Sequence, residues 1–167
     1  TTAAEHSAVL GAAEELEARG WNVRRAGVDR RCRVDPEEIA SLLAVQGVDL
    51  VSVMAANNEV GALQPIRAIG RAISERIPRR GPKSTLFHTD AAQALGRIPV
   101  PLEEWGVDLA SFSAHKLGGP LGGMLSLFGG GKAAKEGIVT TTAVVGERRL
   151  VKGGDAGQIV DLAEEKI

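Results

Sequence analysis

The chain has 167 residues, with 20 Lys plus Arg against 21 Asp plus Glu, for a formal net charge of −1. That balance excludes a strongly basic face for nucleic acid or an anionic membrane, and 3% aromatic residues with no Tyr leave no platform for stacking bases. The length allows one domain with a sizeable core, and 44% hydrophobic with 25% charged residues is ordinary for a globular chain. A single cysteine, Cys32, precludes an internal disulfide and a multi-cysteine zinc site. It fits a reducing compartment, the cytoplasm first and the mitochondrion second. No apolar run reaches the roughly 18 residues a membrane span needs. The opening Thr1-Thr2-Ala3-Ala4-Glu5-His6 has the pattern of neither a signal nor a transit peptide, and the lack of an initial Met reads as a piece of a longer chain.

Helix-like and strand-like segments alternate along the sequence. Ser7 to Arg19 carries Val9, Leu10, Ala13 and Leu16 at helical spacing, and Gly20 is a stop signal. Trp21 to Val28 reads as a strand. Asp35-Pro36-Glu37-Glu38 is a helix start, with Asp as cap, Pro at the first helical position and acids at the positive dipole end. That helix is expected to run to about Gln46, before Gly47. Asp49 to Ala55 is a continuous apolar run, as in a strand covered on both faces. Pro65 to Ile77 predicts a helix, Pro78 to Ser84 a surface loop and Thr85 to His88 a short strand. Ala91 to Leu95 starts a helical turn ahead of Pro99 and Pro101. Val107 to Phe112 and Leu121 to Phe128 predict two more strands. From Gly129 the character changes. The Gly-rich stretches and Thr140 to Thr142 suggest loops, with a last helix near Gln158 to Lys166. The division expected is a core over 1–128 and a loop-rich tail over 129–167. The alternation predicts an α/β fold, a mostly parallel sheet between helix layers.

In an open parallel sheet, ligands collect beyond the carboxyl ends of the strands. Three predicted strands end in polar clusters: Asn57-Asn58-Glu59, then His88-Thr89-Asp90 with Gln93, then Ser113-Ala114-His115-Lys116. One lysine, one acid and a set of hydroxyl and imidazole donors match the needs of pyridoxal phosphate. Its aldehyde takes a lysine amine as a Schiff base, its ring nitrogen needs a carboxylate, and its phosphate needs donors. Lys116 supplies the amine, Asp90 the carboxylate, and Ser113 with His115 the phosphate contacts. Each residue also has a plainer reading. Lys116 alone is a solvated surface lysine, Asp90 before Ala91-Ala92 a helix cap, Asn57-Asn58 ahead of Gly61 a turn, and His6 a residue that happens to precede a helix. Cys32 between Arg31 and Arg33 is either a thiol with a depressed pKa or an incidental one in a loop.

Four blocks occur together in this order: Thr2 through Glu5-His6; Met54-Ala55-Ala56-Asn57-Asn58-Glu59-Val60-Gly61; Phe87-His88-Thr89-Asp90-Ala91-Ala92-Gln93-Ala94-Leu95-Gly96; and Ser113-Ala114-His115-Lys116 with Gly119-Pro120. Over Thr1 to about Phe128 the chain resembles the class V aminotransferase family, in its cysteine desulfurase and selenocysteine lyase branch. The resemblance implies the large domain of a fold-type I enzyme dependent on pyridoxal 5'-phosphate, present here incompletely. Lys116 matches the lysine that binds the cofactor and later moves the α-proton. Asp90 matches the partner of the pyridine nitrogen, and Gln93 the donor to the cofactor's phenolic oxygen. His6 matches the imidazole stacked on the ring, Asn58 a residue near that oxygen and the substrate carboxylate, and Ser113 and His115 phosphate ligands. The roles of His6, Asn58 and Gln93 come from the resemblance alone.

The same resemblance implies removal of sulfur or selenium from L-cysteine or L-selenocysteine, leaving L-alanine. It further implies a homodimer, a sulfur or selenium acceptor protein, and a role in iron–sulfur cluster assembly, with no nucleic-acid or membrane partner. The extra residues in Arg76 to Thr85 lean toward selenocysteine-lyase-like members. The family's glycine-alanine-threonine phosphate loop would lie upstream of Thr1, and its small domain and mobile cysteine loop downstream; Cys32 does not match that cysteine. Gly146 to Leu150 and Ile159 to Ala163 resemble a segment in which a threonine reaches the other subunit's phosphate, and Gly154 stands in that threonine's place. The alternatives are a truncated, non-catalytic homologue serving as a binding or scaffold domain, or another class V member.

Overall fold

Local signals set the helices. In the computed structural model, which describes residues 1–44, 47–77, 85–118, 123–128 and 139–143, helix α1 spans Ser7–Ala18 and begins where His6 Nδ1 accepts the Ala8 amide at 3.2 Å. It buries only Ala13. Helix α2, Pro36–Leu43, has the expected cap: Asp35 accepts the Glu37 amide at 3.0 Å, Pro36 opens the helix, and Glu37 and Glu38 sit at its positive end. It is described to Leu43, short of Gln46, which lies outside the described residues. Helix α3, Ile66–Arg76, buries Ile66, Ile69, Gly70 and Ile73, one stripe at helical spacing. The short helix α4, Leu102–Trp105, lies so close to α3 that a Cβ on Gly70 would meet the Trp105 carbonyl oxygen at 1.9 Å; only glycine permits that approach.

The strands are β1 (Leu50–Ser52), β2 (Leu86–Asp90), β3 (Leu109–Ser113), β4 (Gly123–Phe128) and β5 (Val139–Ala143), hydrogen-bonded in that order in one sheet. β1, β2 and β3 are parallel, with Ser52 opposite His88 and Asp90 opposite Ser111. β4 and β5 continue the sheet antiparallel. The α/β expectation therefore holds, with parallel pairing in the first half of the sheet only.

Three neighbouring parallel strands taken in sequence order, joined by right-handed crossovers, put their connecting helices on one face. α3 packs on β2 there, flanked by α2 and α4. Val51, Phe87, Ala110 and Phe112 point into that layer and are buried; with Ile39, Ile66, Ile69 and Ile73 they form the core. Alternate residues face the other way. On that side Leu50 is 47% and Leu86 44% exposed, so β1 is not the doubly covered strand its apolar run predicts.

Two expected elements differ. Trp21 to Val28 is not a strand: only Ala26 pairs, bridging in parallel to Thr2, with bonds of 2.9 Å to Thr1 and Ala3. Thr140 to Thr142, read as loop, lies in β5, where β-branched residues fit a pleated strand. The Pro78 to Ser84 loop, Gly119-Pro120, Gly146 to Leu150, Gly154 and the helix near Gln158 to Lys166 lie outside the described residues.

Candidate active site

The parallel order of β1, β2 and β3 brings the three polar clusters to one edge of the sheet, because all three strands point the same way. Backbone bonds carry the pairing past the strand ends. The Ala55 amide donates to Asp90 O at 2.8 Å, and the Ala91 amide to Ser111 O at 2.9 Å. Asp90 is half-buried at the last position of β2; its Oδ1 accepts the Ala92 amide at 2.9 Å, and Oδ2 accepts no hydrogen bond among the described residues. The cap reading of Asp90 is thus correct for one oxygen and leaves the other available.

β3 runs into a 3-10 turn, Ala114–Leu117. Ser113 Oγ and His115 Nδ1 lie 2.8 Å apart, and Lys116 follows on the exposed side of the turn. Leu117 packs over the turn that follows Asp90: its Cδ2 stands 3.0 Å from where a Cβ on Gly96 would be, and Gly96 has a φ of +78°. Contact between the Lys116 turn and the Asp90 turn is therefore made through Leu117 and Gly96. Among the described residues there is no direct bond between Lys116 and Asp90.

Gln93 and Asn58 line one depression of about 330 Å3, together with Asn57, Gly61, Leu63 and Arg97. Asn58 is exposed and Gln93 half-buried. The neighbouring Asn57 is a turn builder, as its plainer reading says. Its Oδ1 accepts the Glu59 and Val60 amides, each at 2.9 Å, and its Nδ2 donates to Ala4 O at 3.0 Å. This last bond ties the chain before α1 to the exit of β1. His6 is exposed at the start of α1, and the bond from Ala8 to Nδ1 leaves the proton of the neutral ring on Nε2. Cys32 sits in a left-handed turn with φ 61°, and its carbonyl accepts from Gln64 Nε2 at 2.6 Å.

Two features escaped the reading of the sequence. His88 forms a bridge across three strands, with Nδ1 2.8 Å from Ser52 Oγ and Nε2 2.9 Å from Ser111 Oγ. Burial pushes its pKa below the usual histidine range, opposed by the Asp90 carboxylate. Period-two alternation already put His88 and Asp90 on one face, but its two partners come from separate strands. Glu5 is the other: 6% exposed, it accepts from Thr2 Oγ1 at 2.8 Å and from the Met54 amide at 3.1 Å through one oxygen. Burial raises its pKa, against the lowering by those two bonds. Among the described residues no group of three or more His, Cys, Asp and Glu side chains could hold a metal, and no helix is long and apolar enough to cross a membrane.

Comparison with known proteins bears on this arrangement. The model of the aminotransferase class-V family matches residues 1–127. The chain belongs to the aminotransferase class-V family. Family relatives carry a narrower name. A "Cysteine desulfurase IscS" of Neisseria meningitidis is 44% identical over 122 residues, 73% of this chain and 28% of that protein. A "Putative cysteine desulfurase IscS 1" of Bacillus subtilis is 37% identical over 165 residues, 91% of this chain and 41% of that one, so the likeness extends past Phe128. Among solved structures, a "NifS-like protein" superposes with a TM-score of 0.68 at 40% identity, covering 92% of this chain and 37% of that one. The chain spans well under half the length of these family relatives.

Proposed function

We propose that this chain is the cofactor-binding part of a cysteine desulfurase that acts on L-cysteine or L-selenocysteine with pyridoxal phosphate. The observation that carries the reading is the meeting of Asn58, Asp90 with Gln93, and Ser113 to Lys116 at one edge of three parallel strands. The donor set suits the cofactor: a free Asp90 oxygen, a paired hydroxyl and imidazole, and an exposed lysine amine. When bound, pyridoxal phosphate supplies an aldehyde and a ring that accepts the electron pair left at the substrate's α-carbon.

The residues divide that work by chemistry. Asp90 Oδ2 would hold a proton on the ring nitrogen, which would keep the ring electron-poor. Lys116 Nζ would be the amine that meets the cofactor's aldehyde and the base that moves the substrate's α-proton. Ser113 and His115 donate to the phosphate oxygens. Gln93 and Asn58 offer side-chain amides toward the phenolic oxygen and the substrate carboxylate, from the depression they share. His6 presents Nε2–H from the start of α1 and would be the imidazole beside the cofactor ring. An acceptor thiolate elsewhere in the full protein would bond to the substrate's sulfur or selenium as the C–S or C–Se bond breaks. The electron pair would stay with the β-carbon and take up a proton to leave alanine, and the chalcogen would then pass to an acceptor protein. The working form of that protein is a homodimer.

The test mixes the purified chain with pyridoxal phosphate. A visible absorption band is expected, and K116A should abolish it. No band, or a band indifferent to K116A, overturns the proposal.

A further inference from the structure

We propose that Glu5 is a positioning residue of this site: its carboxylate, held between the Thr2 hydroxyl and the Met54 amide, fixes the start of α1 and so the place from which His6 faces the cofactor. The inference rests on the reading of His6 as the imidazole beside that cofactor. Glu5 reaches no ligand in this role; it acts through its neighbour.

The geometry is that of a clamp. Glu5 Oε1 takes two donors, Thr2 Oγ1 at 2.8 Å and Met54 N at 3.1 Å. Thr2 is itself fully buried and paired to Ala26. Met54 lies two residues past the end of β1, and the next amide, that of Ala55, binds Asp90 O. One carboxylate therefore joins the segment carrying His6 to the strand end that is hydrogen-bonded to Asp90. The Asn57 bond to Ala4 O is a second tie on the same segment. Among the described residues α1 fully buries only Ala13, and the Arg25–Glu17 ion pair ties its far end rather than its start. A helix so weakly packed needs its start anchored if His6 is to occupy a defined position.

Glu5 Oε2 is buried and has no partner among the described residues. An unpaired buried charge is costly, and the cost falls if that oxygen carries a proton. Burial favours the protonated form most strongly, the bonds from Thr2 and Met54 act the other way, and the Asp90 carboxylate adds a smaller push toward the protonated form. A neutral acid that accepts through one oxygen is matched by glutamine, not by the shorter aspartate. The clamp thus requires E5Q to rescue what E5D loses.

The experiment follows the His6 imidazole by NMR in the cofactor-free full chain, then the visible circular dichroism after pyridoxal phosphate is added. E5Q should leave the His6 resonances at their wild-type positions. E5D should move them toward those of free histidine, with the Lys116-dependent band retained, its ellipticity reduced and cofactor binding weakened about tenfold. His6 unchanged in E5D, or displaced equally in E5Q, overturns the proposal. If E5D fails to fold, E5Q decides: wild-type His6 resonances support the clamp and displaced ones overturn it. Because His6 is read without cofactor, failure of the clamp is distinct from failure of the site, which would show as a missing Lys116-dependent band in the wild-type chain.

Discussion

The two faces of the parallel strands are built by opposite rules. Toward α2 and α3 the strands offer Val51, Phe87, Ala110 and Phe112, all buried against aliphatic helix residues. Toward the other side the same strands begin with the exposed Leu50 and Leu86 and then offer Ser52, His88, Ser111 and, at their ends, Asp90 and Ser113. The first face contributes apolar burial, which is large and indifferent to direction. The second contributes directed bonds, each small, that fix where polar groups stand. Stability and chemistry are thereby assigned to alternate residues of one strand, and a change on one face can be made with little effect on the other.

The strongest way to break this division is to empty the covered face. Phe87 is fully buried over α3, and F87A should cost about 3–5 kcal/mol of stability by denaturant unfolding. An equal loss from a mutation of the bridge on the open face would erase the contrast. H88A leaves the Ser52 and Ser111 hydroxyls without their shared partner and should cost about 1–3 kcal/mol, nearer the lower end because the site is half-buried.

The pH dependence sharpens the same point. The folded chain holds His88 at a lowered pKa through burial, so it binds this proton less well than the unfolded chain. The stability is present above about pH 6.5, the ordinary histidine value, and is lost as pH falls through the lowered value. H88A should flatten that part of the profile, whereas F87A should shift the whole curve down and keep its shape. The smallest expected effect lies outside both faces. D35A removes the acceptor for the Glu37 amide and should cost about 1 kcal/mol by denaturant unfolding, with no change in cofactor binding.

Much of the helix layer was legible in the sequence, because its signals are local. Asp35-Pro36 marks a helix start by sterics and dipole alone, and the apolar spacing of Ile66, Ile69 and Ile73 marks a buried stripe. The strands at Leu86 and Leu109 were legible too, within a residue or two. Trp21 to Val28 was not, because an extended segment becomes a strand only if a neighbour offers its backbone, and here just Ala26 finds one. Thr140 to Thr142 failed the other way: β4 supplies a partner that the run itself does not announce.

The same boundary runs through the candidate site. The residue types, their order and their position after successive strands were set by the chain alone, since each strand end brings its own polar cluster. Only the tertiary structure decided that those ends lie side by side, that Asp90 keeps one oxygen free, that His88 bridges two serines, and that Glu5 is buried between Thr2 and Met54. These outcomes depend on partners from 2 to 49 positions away. Local periodicity and capping report what a segment prefers for itself; a hydrogen bond between distant segments exists only once the sheet's order and register have brought its two ends together.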